Sequence, residues 1–97
     1  MREYEVTIVI KTNLDDDARN AIIEQVRGWL NPGGDEATAP KVNHWGQRSL
    51  AYPIENERDG YYVLYEATLE PEQISAVERQ MLYEEDILRH LVVRKGE

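Results

Sequence analysis

With 97 residues, 41% of them hydrophobic and none a cysteine, the chain has material for one core and no thiols for disulfides, Cys-ligated zinc or a cysteine nucleophile. Its 19 acidic and 11 basic side chains leave a formal charge of -8, so no overall positive field draws in nucleic acid or an anionic membrane, and any such contact has to be local. No stretch approaches the roughly 20 apolar residues of a bilayer span, and Met1-Arg2-Glu3-Tyr4-Glu5 lacks the basic-then-apolar order of a secretory signal, so a cytoplasmic domain without membrane attachment is expected.

From Tyr4 to Ile10 the pattern alternates, which predicts a strand with Tyr4, Val6, Ile8 and Ile10 on one face. Ala18, Ile22, Val26, Trp29 and Leu30 then recur at helical spacing behind Asp15-Asp16-Asp17, a run suited to cap free backbone amides. Asn31-Pro32-Gly33-Gly34 stops this helix. Residues 35–40 show weak periodicity, and Val42–Ala51 return to extended character with a bulge expected at Gly46. Pro53 argues against a central strand, and Glu55–Gly60 reads as a longer, mobile, charged loop before a strand at Tyr61–Leu69. Pro71 opens a second helix with Ile74, Val77 and Met81 on its apolar stripe, ending near Leu82. His90–Arg94 forms the last strand.

The order is β-α-β-β-α-β. An α+β domain follows, a ferredoxin-like sandwich of one four-stranded antiparallel sheet with two helices on one face, spanning residues 1–97 with 94–97 as a short terminal tail. The other sheet face is left for solvent or a partner. The segment around it carries Trp45, Tyr52, Tyr61, Tyr62 and Tyr65, rings able to stack on bases or fill a protein interface. If Tyr62 and Leu64 point to the helices, then Tyr61, Val63 and Tyr65 enlarge the uncovered face; a shift of one residue reverses that assignment.

Trp45-Gly46-Gln47-Arg48-Ser49-Leu50-Ala51-Tyr52-Pro53-Ile54, followed by Gly60-Tyr61-Tyr62, resembles the signature of the bacterial small-subunit ribosomal protein S6 family, and the resemblance runs from Arg2 to Val93. It implies a structural protein in the platform of the small ribosomal subunit, paired with ribosomal protein S18 and touching the central domain of 16S ribosomal RNA, with no catalytic centre and no cofactor. On that resemblance, Arg2, Arg48 and Arg89 are candidate RNA contacts, with Arg94 and Lys95 as a small basic end, since a guanidinium fork suits phosphate oxygens and base edges. Trp45, Tyr52, Tyr61, Val63 and Tyr65 are the candidate partner interface. The acidic run Glu84-Glu85-Asp86, the longer link at 35–40 and the short tail depart from the family pattern.

Other chemistries find less support. His44 and His90 are the only imidazoles and show no metal-ligand spacing, while Asp15–Asp17 are explained by capping. The two glycines at 33–34 lack a phosphate-loop lysine, and Ser49 and Ser75 lack a His-carboxylate partnership. The alternative from another class is a homodimeric ferredoxin-like enzyme or metabolite-binding module using His44 and a tyrosine in a cleft.

Overall fold

The computed structural model describes residues 1–96, which run β1 (Arg2–Ile10), α1 (Asp16–Trp29), β2 (Lys41–Ile54), β3 (Glu57–Leu69), α2 (Ile74–Tyr83) and β4 (Ile87–Arg94). The strands form one sheet in the order β2-β3-β1-β4, antiparallel at every pairing. Period-2 alternation in β1 sends Tyr4, Val6, Ile8 and Ile10 to one face, where they are buried with Val63, Tyr65, Ala67 and Leu69 of β3. Ile22, Ile23 and Val26 of α1 and Val77 and Met81 of α2 complete the same cluster, so both helices cover this face and leave the other open. The expected ferredoxin-like arrangement is thereby obtained.

Local chemistry sets the helix ends. Asp15 caps α1, its Oδ1 accepting the Ala18 amide at 2.8 Å, with Asp16 and Asp17 in the first turn against the helix dipole. The Leu30 amide returns to the Val26 carbonyl at 3.0 Å before the Asn-Pro-Gly-Gly stop. A 3-10 turn at Pro71–Gln73 leads into α2, and the Gln73 side chain accepts the Glu70 amide at 2.9 Å.

Two expectations are corrected, the β2-β3 loop and the start of the tail, and two segments gain detail. The 35–40 link is organised: Asp35 caps a 3-10 turn at Glu36–Thr38, and Glu36 pairs with Arg27 of α1 at 2.9 Å. The β2-β3 connection is a two-residue turn, not a long loop, with Glu55 and Asn56 at φ 49° and 67° and Ile54 paired to Glu57. Both turn residues take the left-handed conformation that matches strand twist, although neither is glycine. Pro53 lies inside β2, which is tolerable because β2 is an edge strand. Arg94 closes β4 and does not begin the tail; the Lys95 amide still reaches the Glu3 carbonyl at 2.8 Å, and Glu97 lies outside the described residues.

Candidate functional site

The phase of β3 decides what the open face presents. Val63 and Tyr65 are fully buried under the helices, and the Tyr65 hydroxyl donates to the Ile23 carbonyl of α1 at 2.8 Å. Tyr61 shares that side, half-buried, with the Arg19 guanidinium of α1 4.2 Å from its ring centre. Val63 and Tyr65 are therefore core residues and Tyr61 belongs to the helical side; none of the three can serve a partner on the open face. The opposite phase takes their place, with Tyr62 and Leu64 beside Val9 and Thr7 of β1. The signal was present in the chain: Tyr61, Val63, Tyr65, Ala67 and Leu69 are apolar throughout, whereas the alternate set runs into Glu66 and Thr68.

Along the strands the open face changes character from one end to the other. At one end Glu66 sits opposite Glu5 and Lys41. It accepts from Lys95 Nζ at 3.2 Å and from Asn43 Nδ2 at 3.3 Å, with Lys41 at 4.0 Å. These hydrogen bonds, Lys95 first, hold the Glu66 carboxyl below its ordinary range and raise the Lys95 ammonium. The middle is largely apolar, with Leu64 and Leu91 on either side of Thr7, and Val93 beside Glu5 extends this surface along β4 into the charged end.

At the other end stand aromatic rings and arginines. Trp45 is the extra residue of a bulge between the His44-Val63 and Gly46-Tyr62 pairs, and Gly46 supplies the positive φ of 84° it requires. The Arg48 guanidinium lies 5.4 Å from the Trp45 ring centre. Between the Ser49-Asp59 and Ile54-Glu57 pairs, the four residues 50–53 face Arg58 alone, so β2 arches outward. From that arch the Tyr52 hydroxyl accepts a long hydrogen bond of 3.4 Å from Arg89 of β4. Gly60, opposite Arg48, leaves room for Val9, since a Cβ there would run into Val9 Cγ1.

Of the five sequence-predicted cations, the fold brings Arg48 and Arg89 to one end of the open face. Lys95 lies at the far end, engaged with Glu66. Arg2 and Arg94 fall in the phase of Tyr4, on the helical side of β1 and β4. Arg19 and Arg27 are paired with acids on and around α1, but among the described residues Arg48 and Arg89 have aromatic partners and no carboxylate within ion-pair distance. His44 meets Tyr61 at 3.0 Å on the helical side. No group of three or more His, Cys, Asp or Glu residues able to hold a metal occurs among the described residues, and no helix there is long and apolar enough to cross a membrane.

Residues 3–94 match the family model for ribosomal protein S6. The chain belongs to the ribosomal protein S6 family. Over 97 residues, covering the whole of both chains, it is 36% identical to small ribosomal subunit protein bS6 of Desulforamulus reducens. The crystal structure of 30S ribosomal protein S6 from Thermotoga maritima superposes with a TM-score of 0.86 at 22% identity, over 97% of this chain and 87% of that one, which establishes the shared fold. Members of the S6 family are structural proteins of the small ribosomal subunit, not enzymes, and this chain is accordingly a component of that particle in the bacterial cytoplasm. The arch at 50–53 and the bulge at Trp45 both lie within the segment whose S6 resemblance was visible in the sequence.

Proposed function

We propose that the open sheet face docks ribosomal protein S18, and that its Arg48-Arg89 end, completed by that basic partner, contacts the central domain of 16S ribosomal RNA. The observation that carries this reading is that Arg48 and Arg89, each beside an aromatic side chain and neither in an ion pair among the described residues, meet at one end of the open face of a chain of net charge -8. An aromatic ring orients each guanidinium without neutralising it, so the fork remains available to phosphate oxygens or a base edge. The adjoining apolar strip of Tyr62, Leu64, Leu91 and Val93, flanked by Trp45 and Tyr52, offers the contact area a protein partner needs. Arg2, Arg94 and Lys95 have a secondary place in this reading, because they lie on the other face or are already engaged.

The test is assembly of the chain with ribosomal protein S18 and a 16S central-domain fragment over a series of salt concentrations. Arg48→Ala and Arg89→Ala should each weaken the ternary complex about tenfold and lower the magnitude of the salt slope by about 0.9 per lost phosphate contact, while Arg2→Ala changes little. Unaltered ternary affinity in both variants would defeat the RNA assignment. Failure of ribosomal protein S18 to bind, with or without RNA, would defeat the docking assignment.

A further inference from the structure

On the helical side, away from the sheet face, Gln25 and Trp29 of α1 face Gln80 and Tyr83 of α2, with Glu84 just beyond, around an open groove of about 270 Å³. The spacing of four residues in Gln25-Trp29 and of three in Gln80-Tyr83 keeps each pair on one side of its helix, and Glu84 follows in extended backbone. Trp29 packs against the core and is thereby anchored, whereas Tyr83 is 76% exposed, an unusual position for a ring with no structural partner. The lining residues are two aromatics, two amides and one acid, with no cation among them, and one oxygen of the Glu84 carboxylate accepts a long hydrogen bond of 3.5 Å from the Asp86 amide. Arg27, the basic residue in the last turn of α1, is held instead by Glu36 at 2.9 Å and Glu24 at 3.9 Å. Beyond the groove the acidic run continues through Glu85 and Asp86.

We propose that this groove is a second docking site, taking an arginine or lysine side chain from a basic segment of a partner protein between Trp29 and Tyr83. Aromatic rings attract a cation through their quadrupoles, the second oxygen of the Glu84 carboxylate pairs with it, and the Gln25 and Gln80 carbonyl oxygens accept its remaining N–H groups. Charge complementarity selects this occupant. An RNA backbone would meet Glu84, Glu85 and Asp86, and a second copy of the chain packed symmetrically would set acid against acid. The sheet face and the groove would then hold different partners at once, making the domain a bridge.

The chain has two tryptophans, so Trp45→Phe leaves Trp29 as the single tryptophan, excited selectively over the six tyrosines at the red edge of the absorption band. In that background a hexa-arginine peptide should change Trp29 emission saturably. Tyr83→Ala and Glu84→Gln should each weaken binding about fivefold, Arg48→Ala should not, and hexaglutamate should have no effect. Both groove positions are peripheral, and matching circular dichroism melts would show the fold retained. No saturable change, or binding indifferent to both groove variants, overturns the proposal. So does concentration-dependent dimerisation that Tyr83→Ala abolishes, which would assign the groove to a second copy.

Discussion

Tyr65 shows how one side chain can tie sheet to helix and carry a pH signature. Its ring is fully buried in β3 opposite Val6, and its hydroxyl donates to the Ile23 carbonyl in α1. Burial, with the Glu24 charge adding to it, pushes the phenol well above its ordinary value of 10.0. The folded state thus disfavours the phenolate more than the unfolded chain does. The stabilisation is complete below about pH 10 and is lost as pH rises beyond it, because the unfolded chain releases a proton that the native state retains. Urea unfolding at about pH 8 and about pH 11 should show this fall in stability, and Tyr65→Phe should flatten it. The same substitution should cost about 1 kcal/mol at neutral pH by removing the hydroxyl's bond to the Ile23 carbonyl, which lies inside α1 and keeps its helical partner. An alkaline limb as steep in Tyr65→Phe as in the parent would refute the assignment.

At the scale of elements, the β2-β3 hairpin carries most of what sequence reasoning misread. Its turn uses Glu55-Asn56 where glycine or Asn-Gly would be the usual signal, so the chain announced a loop where the backbone makes a two-residue reversal. The strand pairing from Ile54-Glu57 onward, not local preference, holds Glu55 in the left-handed region, where a side chain is disfavoured. Replacing Glu55-Asn56 by Asn-Gly should therefore stabilise the domain by about 1 kcal/mol, read as a higher urea midpoint with an unchanged m-value. A lower midpoint would mean that the turn residues make contacts beyond their backbone geometry. The Trp45 bulge was foreseen from Gly46, whereas the arch at 50–53 was not, because it depends on the register of β2 against β3. Elements whose signals are local, such as the Asp15 cap and the α1 stop, needed no such context.

Across the whole molecule, the open face combines an apolar middle, a neutralised charged end and an arginine end, and the middle makes the clearest target for a variant. Leu91 is 53% exposed beside Thr7, so Leu91→Glu should leave the thermal melt within about 0.5 kcal/mol of the parent while weakening ribosomal protein S18 binding at least about tenfold. Unchanged binding would move the docking surface elsewhere on the domain. The amino-acid sequence by itself determined the order of elements, the helix caps, the acidic balance and, through Trp45–Ile54, the family. Those properties reside in neighbours along the chain and survive without knowledge of what packs on what. The phase of β3 was also legible, in the polar residues Glu66 and Thr68 of the outward set, whereas tertiary structure alone decided that Arg48 and Arg89 share one end. Alternation and composition assign faces within one strand, but which residues of different strands meet is fixed only by the register of their pairing.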